Sequence, residues 1–138
     1  MPRKDVLHDS AKNALIKDGW IITHDPLLVE YDRETLYIDL GAEAPLGAEK
    51  NGRKIAVEIK SFLGRSGITE LERALGQYVL YRNLLRRLEA DRTMFLAMPV
   101  TAFNALLDVM DGRDLIAAEH LKIIVFDAVE QKVEQWLE

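Results

Sequence analysis

Cysteine is absent from the 138-residue chain. That excludes disulfides and thiolate zinc sites and leaves the redox compartment undetermined. Long apolar runs are missing as well. None approaches the roughly 18 residues of a membrane-spanning helix, and the opening MPRKDVLHD carries no apolar signal core. The expectation is a cytoplasmic protein with no membrane contact. An excess of positive charge is also lacking: 18 lysines and arginines against 23 aspartates and glutamates give a net charge of −5. A protein that coats nucleic acid through its basic surface alone would not have this balance. A metal-dependent nuclease remains compatible with it, because such a site is itself acidic, and its phosphate contacts would come from a local basic face or a partner. No repeat, low-complexity tract or linker interrupts the chain, so residues 1–138 read as one domain with a sizeable core.

What is present centres on Leu36 to Phe62, LYIDLGAEAPLGAEKNGRKIAVEIKSF. It reads as two strand segments, the second entered through an Asn51-Gly52 turn that tolerates positive φ. In the second strand Ile55, Val57 and Ile59 point one way, and Ala56, Glu58 and Lys60 the other. Tyr37-Ile38-Asp39-Leu40 places a carboxylate in the preceding strand segment, with Pro45 and Gly47 breaking the chain between Asp39 and Glu49. Glu43 and Glu49 are alternative carboxylates for the same pocket.

The flanking chain supplies helices and further strands. Residues 5–18 show an amphipathic pattern with Leu7, Ala11, Ala14 and Leu15 on the apolar side, closed by Gly19. Asp5, His8, Asp9 and Lys12 share another face, which is either solvated or contributes Asp5 or Asp9 to the site. His8 has no second histidine at ligand spacing and reads as a hydrogen-bonded residue at the surface or the site edge. Trp20 to Thr23 is a short strand ended by Asp25-Pro26, and residues 27–35 are a polar connection or a ragged strand. Thr69-Glu70-Leu71-Glu72 has a capping-box pattern that starts a helix running to about Leu88. Thr93 to Met98 reads as a buried strand, 99–110 as a helix, Asp111-Gly112 as a turn, and 114–120 as a short helix. Leu121 to Phe126 is strongly β-prone, and Lys132 to Leu137 alternates like an edge strand. Strands interleaved with helices make an α/β domain with a mixed sheet.

Magnesium takes oxygen ligands in near-octahedral geometry, commonly one or two carboxylates plus waters. Asp39 and Glu58 offer the carboxylates, and the backbone carbonyl of Ile59 lies between Glu58 and Lys60. Such an ion acidifies water and stabilises charge on a phosphoryl oxygen, while Lys60 positions the attacking water or stabilises the developing charge. Glu-x-Lys alone carries little, since Glu130-Gln131-Lys132 also fits. The bland alternative is a half-exposed strand whose polar face meets water, with a weak Glu58–Lys60 ion pair. Basic candidates for a nucleic-acid surface are Arg82, Arg86, Arg87 and Arg92, with Lys50, Arg53 and Lys54 at the hairpin.

Helix, strand, strand with Asp39, hairpin strand with Glu58-x-Lys60 and helix together resemble the PD-(D/E)xK nuclease superfamily over roughly residues 5 to 98. The resemblance implies a restriction-endonuclease-like αβββαβ core, a mixed sheet flanked by helices, with extra C-terminal helices and strands. It implies that Asp39 and Glu58 bind Mg2+, with Mn2+ as a substitute, and that Lys60 is catalytic. Gln77 and Tyr81 look like the Gln-x-x-x-Tyr signature of some members, which puts Gln77 near the site; read by themselves, Tyr81 is core and Gln77 a solvated helix residue. Ile38 stands where the superfamily name has proline, and nineteen positions separate Asp39 from Glu58 (58 − 39), more than in compact members.

A closer likeness spans nearly the whole chain. Asp5-x-x-His8, ALIKDGWIITHDPL, YIDLGAE, AEKNGRKIAVEIKSFLGRS and ALGQYVLYRNLL resemble the XisH family, the fdxN element excision controlling factors of cyanobacteria. That resemblance implies an endonuclease-like fold and a role in controlling excision of a DNA element during heterocyst differentiation. The excision itself belongs to a separate recombinase, and a XisI-like protein is the implied partner. Three functions follow as expectations: a magnesium-dependent nuclease acting on DNA; a regulatory or binding subunit without turnover; and a plain α/β domain. A homo-oligomer is compatible with all three.

Overall fold

The structure is a computed structural model that describes residues 3–44, 52–62, 67–108 and 112–138. Helix α1 (Arg3–Lys17) buries Ala11, Ala14 and Leu15 along one stripe, as their helical spacing requires. It stops at Gly19, whose φ of +96° suits the left-handed position after a helix, while Trp20 N–H closes back onto the Leu15 carbonyl at 3.0 Å. The chain then forms β1 (Ile21–His24), β2 (Leu27–Tyr31), β3 (Glu34–Ile38), β4 (Leu40–Glu43) and β5 (Lys54–Ile59). After β5 come α2 (Gly67–Leu88), β6 (Arg92–Pro99), α3 (Val100–Asp108), α4 (Gly112–Ala118), β7 (Ile123–Asp127) and β8 (Lys132–Leu137).

Six strands make one mixed sheet in the order β1-β4-β5-β6-β7-β8. The β5–β6 and β6–β7 pairs are parallel and the others antiparallel. Parallel central strands need both faces covered, and β5 and β6 are accordingly buried along most of their length. On one face Leu40, Ile55, Val57, Phe95 and Phe126 pack with the α1 residues; on the other Ala56, Met94 and Met98 pack with Tyr78, Leu84 and Leu85 of α2. This is the expected α/β class, a mixed sheet flanked by helices.

Several local expectations need correction. Residues 27–35 are neither a loose connection nor a ragged strand: β2 and β3 form a separate two-stranded sheet, from Leu27↔Ile38 to Tyr31↔Glu34. Its two-residue connection, Asp32-Arg33, has φ of 48° and 68°, the positive-φ geometry that suits strand twist. Without a glycine, nothing in the local composition signals that turn. Asp39 does not sit inside a strand; it is the bend between β3 and β4, where the chain passes from one sheet to the other. Helix α2 begins at Gly67, so the Thr69–Glu72 pattern lies within its first turns. Helix α4 covers 112–118 rather than 114–120, and Trp20 precedes β1. The Asn51 half of the expected hairpin turn and Asp111 lie outside the described residues.

Candidate functional site

The site forms where the β4–β5 ladder ends. The last antiparallel pair is Leu40↔Val57, so beyond it the strand N–H groups on that side of β5 need another acceptor. The Asp39 carboxylate supplies it, with Oδ2 accepting from Ile59 N–H at 2.7 Å. In return Glu58 Oε1 accepts from Asp39 N–H at 3.2 Å. This exchange holds side by side two carboxylates that lie nineteen positions apart in sequence. On its other edge β5 continues its parallel pairing, Lys60 N–H donating to the Ala97 carbonyl at 2.8 Å.

Glu58 is only 7% exposed. The Lys60 ammonium lies 3.4 Å from Glu58 Oε2 and donates to Gln77 Oε1. Burial and then the neighbouring Asp39 charge push the Glu58 carboxyl up from 4.5 to about 7; Lys60 offsets part of that. The order matters physically, because a carboxylate removed from water beside a second carboxylate resists ionisation unless a cation joins it. The face carrying Glu58 is therefore not the water-facing side of a half-exposed strand.

Of the residues expected to support this centre, Gln77 does so directly through Lys60. Tyr81, one turn further along α2, is buried in the core as its bland reading had it, yet lies within the field of both carboxylates. Burial, Glu58 and Asp39 together raise its phenol above its ordinary value. His8 stands at the edge, its Nε2 hydrogen-bonded to Asp25 Oδ1 at 2.7 Å. Glu43 is not brought in: it pairs with Lys54 at the far end of the β4–β5 ladder, four strand positions or about 13 Å from Asp39 at the usual rise. Glu49 and the side chain of Asp5 lie outside the described residues.

Asp25 was legible only as part of a turn. It accepts from His8 and from Lys12 Nζ, the latter at 2.7 Å, and so pins α1 to the β1–β2 connection. Burial raises its carboxyl, but the bonds from Lys12 and His8 outweigh this and hold it below the ordinary value. Asp25→Ala is expected to cost about 0.5–1 kcal/mol, the range for partly exposed pairs, read as a small drop in the urea midpoint. A loss above about 2 kcal/mol would show that the latch is not a surface pair.

The expected basic surface is largely consumed within the chain. Arg92 is buried, donating to the Ile55 carbonyl at 2.9 Å and to Glu89 at 3.0 Å. Arg53 pairs with Glu138, Lys54 with Asp91, and Arg82 donates to the Glu119 carbonyl. Arg86 and Arg87 stay exposed on α2, and Lys50 lies outside the described residues.

The donor set suits a hard divalent cation. Two carboxylates and the Ile59 carbonyl are oxygen donors of the type magnesium selects, and a cation would relieve the repulsion that raises Glu58. Among the described residues no three His, Asp or Glu side chains converge, so waters and substrate oxygens would complete the shell. A cavity of about 660 Å³ opens beside this centre, with Asp39, Ile59 and Lys60 on its wall next to Leu7, Phe62 and Pro99.

The family model for the XisH protein matches residues 1–134. The chain belongs to the XisH family. Two crystal structures of XisH-type proteins are similar to it. An XisH family protein from Nostoc punctiforme has 38% identity over 97% of this chain and 100% of its own, with a TM-score of 0.86. A fdxN element excision controlling factor protein from Anabaena variabilis has 38% identity over 97% of this chain and 99% of its own, also with a TM-score of 0.86. No curated protein matches the chain. Among the described residues no helix is long and apolar enough to cross a membrane.

Proposed function

We propose that this XisH chain acts in controlling excision of a DNA element, the role named for its Anabaena variabilis relative, through a PD-(D/E)xK-like site for phosphodiester hydrolysis. The observation that supports it is the reciprocal Asp39–Glu58 arrangement with the Lys60 ammonium beside it. Asp39, Glu58 and the Ile59 carbonyl would hold Mg2+, or Mn2+ in its place, whose chemistry is Lewis acidity toward a phosphoryl oxygen and acidification of water. Lys60 presents its ammonium next to that position, where it orients water or stabilises negative charge on the phosphate. Gln77 holds the lysine by its amine, so the group is aimed before substrate arrives.

Cleavage of plasmid and single-stranded circular DNA with Mg2+ or Mn2+ tests the reading. Glu58→Ala and Lys60→Ala are each expected to lower the rate on the order of 100-fold or more, the scale of losing one electrostatic contact to a transition state. Circular dichroism should confirm an intact fold. Equal rates in wild type and both variants would end the nuclease reading.

A second reading has its own support. Among the described residues Arg53, Lys54, Arg82 and Arg92 are engaged intramolecularly, and the net charge is −5, which leaves fewer cations to grip duplex DNA. As a regulatory subunit without turnover it would act in complex with a XisI-like protein. A stable complex with such a partner, and no cleavage with any metal, is the outcome that selects this reading.

A further inference from the structure

The cavity beside the carboxylates has features that phosphodiester hydrolysis alone does not need. Its volume of about 660 Å³ falls in the ~300–1,000 Å³ range of pockets that surround one small molecule. Its charged lining is mixed in sign, Asp39 and Glu70 with Lys60 and Arg73, and its apolar lining includes Leu7, Phe62 and Pro99. At the mouth Val6 and Val129 are 69% and 90% exposed. Pro99 ends β6, Val129 sits in the turn between β7 and β8, and Leu7 comes from α1, so three separate elements converge to build the apolar part.

A duplex presents sugar, phosphate and base edges to such an opening but keeps its base faces stacked inside, so the apolar walls would stay empty. An unpaired nucleotide matches both kinds of lining: a phosphate for the Lys60 and Arg73 cations, which stand among the Asp39 and Glu70 carboxylates, and the flat apolar face of a base for the walls. An apolar peptide would fill the walls but bring no anion to the two cations. We infer that the cavity is a nucleoside-binding site that receives an unpaired base, so that the preferred substrate is single-stranded or locally unpaired DNA. This rests on the proposed phosphodiester-directed site and specifies its substrate class. A base held there has left its stack, as it does in enzymes that extrude nucleotides, and its 3′ or 5′ phosphate then lies beside Asp39 and Lys60.

Fluorescence anisotropy in EDTA, which arrests turnover, tests the inference with three labelled probes: dT10, an abasic 10-mer of equal phosphate charge, and a 10-bp duplex. The expected result is at least tenfold tighter binding of dT10 than of either other probe. Val129→Asp, harmless to folding because the side chain is 90% exposed, is expected to weaken dT10 binding tenfold or more. It should leave the abasic 10-mer and the melting temperature unchanged. Equal affinity for the three probes overturns the inference, as does absence of dT10 binding or a Val129→Asp protein that binds dT10 like wild type. Capture of a XisI-like protein that Val129→Asp abolishes, with dT10 unbound, assigns the cavity to a protein segment instead. Duplex cleavage that requires Glu58 but shows no preference for dT10 overturns only this inference. No cleavage of any DNA and no oligonucleotide binding overturns the proposed site with it.

Discussion

Glu58→Gln should make the metal-free protein more stable at pH 8 while removing any metal-dependent cleavage. The folded-state carboxyl sits near 7 against 4.5 in its ordinary setting, first through burial and then through Asp39. Between those values the unfolded chain ionises Glu58 and the folded chain keeps it protonated. Unfolding therefore releases a proton, and stability falls as pH rises through this window. At ~1.4 kcal/mol per pH unit a rise of that size is a penalty on the order of 3 kcal/mol once the pH exceeds 7. Glutamine carries no such penalty, can still accept from Asp39 N–H, and leaves Lys60 its bond to Gln77. Thermal melts of wild type and variant from pH 5 to 8 in EDTA isolate the effect, since the histidines and the other carboxylates are common to both. The curves should nearly coincide at pH 5 and separate toward pH 8, with the variant higher. Adding 10 mM Mg2+ at pH 8 should raise the wild-type midpoint and leave the variant unmoved. A variant less stable than wild type at pH 8 would mean that Glu58 is ionised and held by Lys60 as a structural ion pair.

Phe95→Ala is the second large effect, and it should damage the fold without touching the chemistry. Phe95 is fully buried on the α1 face of the sheet, opposite the face that carries Ala56 and Glu58. Its ring meets Trp136 edge-on at 5.2 Å, Trp136 in turn lies 5.6 Å from Trp20, and the Arg53 guanidinium stands 5.4 Å from its centroid. Truncation removes a large apolar side chain and the ring contacts that join β6 to the C-terminal strand β8. The expected cost is about 3–5 kcal/mol, visible as a drop on the order of 10–15 °C in melting temperature. Cleavage per folded molecule at low temperature should stay near wild type. A loss under about 1 kcal/mol would show that this face is not packed around Phe95.

How far the sequence reaches can be judged residue by residue. Alternation in IAVEIK placed Ile55 and Val57 on one core and Ala56 and Glu58 on the other side, and the sheet keeps that division. Helical spacing puts Leu7, Ala11, Ala14 and Leu15 on the inward side of α1 and Leu71, Ala74, Leu75, Tyr78, Leu84 and Leu85 on that of α2; all are buried except Leu7, Leu71 and Leu75, which are partly buried. The β8 edge strand was visible from Lys132 to Leu137. The β2–β3 sheet was not visible, because Asp32-Arg33 adopts positive φ without a glycine to announce it. Arg92 looked like surface charge; its burial depends on the Ile55 carbonyl and Glu89, one of them 37 positions away. Asp25 read as punctuation before a proline, since the latch to His8 and Lys12 joins residues 17 and 13 positions away.

Periodicity and residue type alone determined that this chain is α/β, which faces of α1, β5 and α2 turn inward, and that Asp39 and Glu58 have the donor chemistry of a cation site, with an amine two positions beyond Glu58 at Lys60. Those properties are local: they follow from 3.6- and 2-residue repeats and from the functional groups themselves. Only the tertiary structure decided that Asp39 rather than Glu43 stands beside Glu58. The reason is a hydrogen-bond obligation: the ladder stops at Leu40, Ile59 N–H needs an acceptor, and the carboxylate at the bend is the group within reach. The apolar cavity was likewise undetectable in sequence, because its walls come from α1, β6 and the β7–β8 turn, and no local pattern records which distant segments will meet.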